Sequence, residues 1–342
     1  MTAVLGGVPA GNHIFSCLDG HTCGNPVRLV MAGGPQLVGA TMSERRLDFL
    51  ARHDWVRRAL MFEPRGHDVM SGSILYPSTR ADCDVGVLFI EVSGCLPMCG
   101  HGTIGTVTMA VEHGLMTPRS DGCVMLDTPA GVVRAEVTRD GAHVSSVRIT
   151  NVASYLAARD VTLDVEGFGP LVVDISYGGN FYAIVSPQPG YSGLDELGVA
   201  GVRRLSPLVR EAARRAVRPV HPVDASIAGV SHVMWTDTPR DPRADARNAV
   251  FYGDAAIDRS PCGTGTSARM AQLVARGGLS VGDTFVHESV IGTLFDGRVE
   301  AAADLAGTAA IVPSVSGWAR MTGINTIFVD PRDPLAGGFQ LV

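Results

Sequence analysis

The chain contains no lysine: all 28 of its Lys+Arg positions are arginine. Pyridoxal phosphate enzymes hold their cofactor as a lysine Schiff base, and a P-loop needs its lysine at the phosphates. Both chemistries are therefore excluded. Aromatic residues make up only 6%, and the longest apolar run, around Val85–Val92, is far too short to span a bilayer. The arginines are scattered and the formal net charge is -6, so there is no basic stripe for a nucleic acid. The start of the chain lacks the charged-then-apolar pattern of a signal peptide, and no low-complexity tail is visible. A cytoplasmic protein with no membrane or nucleic-acid partner is expected.

What is present is glycine, 41 residues in 342, with 46% hydrophobic content. That mixture suits an α/β or β-rich enzyme with many tight turns, and it argues against a disordered chain. The length allows one large core or, more often, two domains. The seven cysteines are Cys17, Cys23, Cys83, Cys95, Cys99, Cys123 and Cys262. An odd count at irregular spacing argues against a disulfide framework. Cys95 and Cys99 have no second Cys or His pair at finger-like spacing, so no metal site is expected.

Apolar segments at Val85–Val92, Val132–Val137, Val144–Ile149, Leu171–Ile175 and Phe181–Val185 predict strands. Thr128–Gly131 predicts the turn between two of them. Ser43, with Glu44, Leu47 and Leu50 behind it, predicts a capped amphipathic helix. Ser206-Pro207 predicts the start of another helix over Leu208–Val217. Thr236–Arg247 is expected as a surface loop.

The informative pattern is a repeat. Cys99-Gly100-His101-Gly102-Thr103 opens a segment that reaches Gly114, and Cys262-Gly263-Thr264-Gly265-Thr266 opens one that reaches Gly277 at the same spacing. Each reads as a glycine-rich turn, a helix of about three turns, and a C-terminal glycine. Ile104, Val107 and Val111 give the first helix an apolar face; Ala268, Ala271 and Val274 give one to the second. Two such halves would pack about a pseudo-twofold axis, with the repeated motifs meeting at the cleft.

A cysteine at a helix N-terminus sees the positive end of the dipole and free backbone N–H groups, which lower a thiol pKa. The adjoining glycines let the backbone approach an anion such as a substrate carboxylate. The same N–H groups would stabilise the charge left when an α-proton departs. Inverting a carbon needs a base on one face and an acid on the other, and a thiolate and a thiol from opposite halves supply that pair. A reversible disulfide between Cys99 and Cys262 is the competing reading from a different class.

At Met98–Gly105 (MCGHGTIG) and Asp258–Arg269 (DRSPCGTGTSAR) the chain resembles the proline racemase family, which includes 4-hydroxyproline epimerases and trans-3-hydroxyproline dehydratases. Asp19–Gly24 (DGHTCG) and Glu63–His67 (EPRGH) extend the resemblance over nearly the whole chain. It implies a fold like that of diaminopimelate epimerase: two pseudo-symmetric α/β halves, each a β-structure around a central helix, without a cofactor. The halves would be 1–158, with 325–342 returning to it, and 159–324. The resemblance makes Cys99 and Cys262 the acid/base pair, and it places the carboxylate at Gly100-His101 and Gly263-Thr264. Asp258 and His232 would contact the ring nitrogen. His21, His67, Glu63 and Arg65 are expected to be mainly structural. Dehydratases of the family typically carry threonine at the position of Cys262, so dehydration is disfavoured. Gly102-Thr103 after His101 looks more like the epimerases. The implied reaction is inversion at Cα of trans-4-hydroxy-L-proline, with proline racemisation as the alternative. Asn25, Val27 and Cys95 depart from the family pattern. The expected partner is the small molecule itself, hydroxyproline or proline; a homodimer is left open.

Overall fold

A computed structural model describes residues 12–341. The start of the chain, on which the signal-peptide expectation rests, and the outer ends of segments 1–158 and 325–342 (residues 1–11 and 342) lie outside the described residues. Eighteen strands and five helices are described, and strand pairing links all the strands into one network.

The repeat seen in the sequence governs the topology. Strand Asn25–Ala32 runs parallel to Ser71–Tyr76, which is antiparallel to Val85–Glu91, and Val85–Glu91 is in turn parallel to Cys123–Thr128. The second set repeats this order. Phe181–Val185 is parallel to His232–Asp237, that strand is antiparallel to Ala246–Tyr252, and Ala246–Tyr252 is parallel to Thr284–Glu288. Tyr155–Val165 pairs with Gly169–Tyr177 at the edge of the second set, and Ala319–Val329 pairs with His13–Thr22 at the edge of the first. Thr308–Gly317 pairs with His143–Thr150 and ties the sets together.

The helices are α1 (Met42–Arg52), α2 (Asp54–Met61), α3 (Gly100–Glu112), α4 (Leu194–Ala216) and α5 (Gly263–Ala275). α3 and α5 are the repeated helices, and each ends on a glycine in the left-handed region, Gly114 at φ 70° and Gly277 at φ 76°. The expected apolar face of α3 proves too narrow a description: every residue from Gly100 to Val111 is buried. Short strands wrap this helix on all sides, so its polar Thr103, Thr106 and Thr108 are inside as well. Ser73 and Thr106 satisfy one another across that packing at 2.6 Å.

Three local expectations are corrected. The cap of α1 is Thr41, whose hydroxyl accepts the Glu44 amide at 3.1 Å, and Ser43 lies inside the helix. The buried residues of α1 are Met42 and Phe49, whereas Leu47 and Leu50 face solvent. Ser206-Pro207 does not open a helix; it sits inside α4, which kinks earlier, at Gly198. Buried Ser206 accepts the Trp235 indole N–H at 2.8 Å, a tertiary role that mimics a capping residue in sequence. The expected loop Thr236–Arg247 is shorter than read, because both of its ends belong to strands.

Candidate active site

α3 and α5 meet N-terminus to N-terminus. An added Cβ at Gly100 would stand 2.6 Å from the Gly263 Cα, and one at Gly263 would stand 2.8 Å from the Gly100 Cα. Only two glycines allow this approach. Cys99 and Cys262 are the N-cap residues of these helices, and both are buried. They line one narrow cavity, about 10 Å3 in volume, together with His101, Tyr182, His232, Asp258 and Thr264. Glu91, Leu96, Val250 and Tyr252 complete its walls.

The first backbone N–H groups of each helix have no partner within the helix and face the place where the two ends abut. The two cysteines differ in backbone. Cys99 is extended at φ -139°, whereas Cys262 is left-handed at φ 64°, an uncommon conformation for a side-chain-bearing residue. A buried network holds the turn before it. The Pro261 carbonyl accepts from Asn248 Nδ2 at 2.7 Å and from the Thr266 hydroxyl at 3.1 Å. His287 stands behind both donors, 2.9 Å from Thr266 Oγ1.

The expected lowering of the thiol pKa values is not what the site shows. Burial pushes both thiols above the ordinary value, Cys262 furthest; the Asp258 carboxylate adds to the rise at Cys262 and the Glu91 carboxylate to that at Cys99. His101 and the Gly102 amide oppose the rise at Cys99; Tyr182 and the Gly265 amide oppose it at Cys262. These neighbouring donors thus offset desolvation without overcoming it.

His101 bridges the two cysteine turns. Its Nδ1 lies 3.6 Å from Cys99 Sγ and 3.5 Å from Asp258 Oδ2. Burial opposes charge on the ring, yet Cys99 and Asp258 together raise its proton affinity well above that of ordinary imidazole. The Asn25 amide lies against the other ring nitrogen. Asn25 Oδ1 accepts the Arg259 N–H at 3.1 Å, which turns Nδ2 toward His101 Nε2 at 2.9 Å. Nδ1 carries a proton toward Cys99 and Asp258. For Asp258, burial works upward, but His101 and the Ser260 hydroxyl and amide hold it below the usual carboxylate range.

His232 is neutral, since burial drives it down to about 3. The Ser231 hydroxyl donates to the Phe181 carbonyl, so it accepts from His232 Nδ1 at 2.7 Å and leaves Nε2 as an acceptor.

A family model described as "Proline racemase" matches residues 17–340. Curated relatives from Brucella ovis and Ancylobacter novellus, named 4-hydroxyproline epimerase and 4-hydroxyproline 2-epimerase, are each 61% identical. Their alignments run over 329 and 330 residues, 96% of this chain and 99% of each relative.

The chain belongs to the proline racemase family.

Two solved members are similar throughout. A probable proline racemase from Agrobacterium radiobacter, with bound carbonate, has a TM-score of 0.89 at 32% identity, covering 96% of each chain. A hydroxyproline epimerase from Agrobacterium vitis, with bound trans-4-OH-L-proline, has a TM-score of 0.87 at 30% identity, again covering 96% of each. A predicted epimerase from Pseudomonas aeruginosa, at 14% identity and TM-score 0.54, shares the fold. The expected α/β class and two-motif architecture are therefore those of a proline racemase.

All eight site residues expected from the sequence gather here: Cys99, Gly100, His101, His232, Asp258, Cys262, Gly263 and Thr264. The residues left as structural stay away from the cavity. His21 Nδ1 accepts the Gly24 amide, and Arg65 donates to the Ala59, Leu335 and Ala336 carbonyls. Sequence reasoning missed Asn25, Glu91, Tyr182 and Tyr252. Asn25 carried a signal, as a departure from the family pattern directly after Asp19–Gly24. Glu91 ends an apolar strand, where a lone carboxylate is itself unusual. Among the described residues no helix is long and apolar enough to cross a membrane.

Proposed function

We propose that this proline racemase family member is a 4-hydroxyproline 2-epimerase, converting trans-4-hydroxy-L-proline to cis-4-hydroxy-D-proline by a two-base mechanism. The observation that carries the reading is the meeting of two cysteine-capped helix N-termini in one buried cavity. The 61% identity to relatives named for that activity supports the choice of substrate.

In this reading the carboxylate lies against the N–H groups of Gly100-His101 and Gly263-Thr264, with a helix dipole behind each pair. The ring ammonium donates to Asp258, which stays ionised, and to Nε2 of neutral His232. One sulfur, as thiolate, takes the α-proton while the other, as thiol, delivers one to the opposite face. The charge passing through the carboxylate is met by amides already in place. Afterwards the protonation states of Cys99 and Cys262 are exchanged, so the site is set for the reverse reaction. The pair titrates as a unit, so neither cysteine alone owns the thiolate. The chain divides in the same reading into halves 1–158 with 325–342, and 159–324, working as an enzyme of the cytoplasm.

The test is proton NMR in deuterated buffer, with trans-4-hydroxy-L-proline and L-proline in separate tubes. Deuterium at Cα accompanied by the opposite epimer supports the reading, and the faster tube names the substrate. Loss of water or an inert sample rejects it.

A further inference from the structure

The two cysteine turns repeat, but their third residues differ: His101 follows Cys99, whereas Thr264 follows Cys262. An imidazole therefore backs the first sulfur at 3.6 Å. Around the second, the side-chain hydroxyls within reach are Tyr182 at 3.4 Å and Thr264 at 4.0 Å. Tyr182 is fully buried on strand Phe181–Val185, level with His232 on the parallel neighbour, the two rings 4.7 Å apart. Its hydroxyl also lies 2.6 Å from Thr264 Oγ1.

One arrangement of the hydrogens in this group satisfies its contacts and leaves a donor for the sulfur. Asn180 Nδ2 donates to the Met98 carbonyl at 2.8 Å, which fixes its amide orientation, and the same nitrogen reaches Thr264 Oγ1 at 3.5 Å. An amide NH2 only donates, so Thr264 Oγ1 accepts there, and its own proton is free to go to Tyr182 Oη, 2.6 Å away. The phenol proton is then left for sulfur. We infer that Tyr182 is the hydrogen-bond donor to the Cys262 thiolate, the counterpart of His101 at Cys99, and that Thr264 serves the substrate through its backbone N–H while its hydroxyl orients Tyr182. The inference rests on the reading of Cys262 as an acid/base group.

The two donors differ in kind. Burial holds the Tyr182 phenol well above its ordinary value, so it keeps its proton and only donates. The α-proton goes to and from sulfur alone, and no proton is stored on the ring. His101, in contrast, sits between Cys99 and Asp258. The second thiol therefore depends on a neutral donor, at a site where Asp258 and Cys99 both work against its ionisation. His101, His232 and Glu91 line the same cavity, and His101 and Glu91 act on Cys99.

The test measures alkylation of the full-length protein by iodoacetamide across pH, with Cys99 and Cys262 read separately by peptide mass spectrometry. A hydrogen bond to a charged group sets the scale, so Tyr182→Phe is expected to move the Cys262 midpoint up by about one pH unit. The Cys99 midpoint, coupled to it, is expected to move by less. An unmoved Cys262 midpoint, or an equal shift at both cysteines, overturns the inference, because either result makes Tyr182 a packing residue. Thr264→Val is expected to move Cys262 the same way by less, and Thr264→Ser to restore it. That pair decides the matter if Tyr182→Phe does not fold; equal midpoints in the two variants count against the relay. The readout is independent of turnover. Failure of the epimerase reading would show separately, as wild-type protein inert toward trans-4-hydroxy-L-proline.

Discussion

Replacing Gly100 by alanine puts a methyl group where the two helix ends touch. The new Cβ would meet the Gly263 Cα at 2.6 Å and the Gly263 carbonyl carbon and Thr264 nitrogen at 2.9 Å, all of them backbone atoms that no rotamer change can move. Ordinary contact begins at 3.4 Å, so the helix ends must part by about 0.8 Å, a gap a close-packed interior cannot absorb elsewhere. In isolation, alanine favours a helix by about 1 kcal/mol over glycine, so α3 itself should not unravel. The expected phenotype is a folded protein with a misaligned pair of sulfurs. Displacing reacting groups by an ångström costs on the order of 10²-fold in rate, which sets the expected loss in kcat/KM for epimerisation. Circular dichroism and thermal melting would accompany the kinetics. A variant with wild-type melting and activity within about threefold of wild type would refute the argument that this contact fixes the geometry. So would one that loses activity only because it unfolds.

Cys99→Ser and Cys262→Ser should each lower the epimerisation rate by at least about 10²-fold, with melting close to wild type, since each removes one positioned proton-transfer group. His287 is held down to about 3 by burial, below its ordinary 6.5. The unfolded chain therefore takes a proton that the folded one refuses. This contribution is complete above pH 6.5 and is lost as pH falls toward 3, at about 1.4 kcal/mol per unit. Urea midpoints of wild type and His287→Asn at pH 7.5 and 5 test this, and a difference that ignores pH counts against it. Glu91 is pushed up from 4.5 to about 7, chiefly by burial, so its folded pKa exceeds the unfolded one and its ionisation destabilises as pH rises through that window. Glu91→Gln should then gain about 1–3 kcal/mol at pH 8 and little at pH 4, as measured by urea denaturation.

The chemistry of the site was legible because it is local. Cys-Gly-x-Gly-Thr at a strand-to-helix turn, closed by a glycine fifteen residues on, occurs twice, and each copy carries its geometry in its own residues. Strand Phe181–Val185 was legible as a strand to the residue. It was not legible that Tyr182, rather than its neighbours, faces Cys262. All five residues of that strand are buried, so no alternation marks the cavity side. Glu91 reaches the cavity from the end of a strand that is mostly buried on both faces. Asn25 acts on both His101 and Arg259, and the second contact depends on the packing of segments more than two hundred residues apart. The rise of both thiol pKa values was missed for a related reason. A helix N-terminus can be read from sequence, but the desolvation that outweighs it belongs to the closed cavity. Ser206-Pro207 misled in the opposite direction, since a hydroxyl needed by Trp235 looks in sequence like a cap.

The pairing of His13–Thr22 with Ala319–Val329 also bears on how the chain folds as it is made. The strand nearest the start lies beside one that is synthesised about three hundred residues later, so on a ribosome it waits about 15–60 s for that partner at ordinary elongation rates. Strand Asn25–Ala32 can occupy one of its edges at once, but the other stays open for that time. An open edge that long invites pairing with a neighbouring nascent chain. Production of this protein should therefore respond to chaperone supply and growth temperature more than its native stability would suggest.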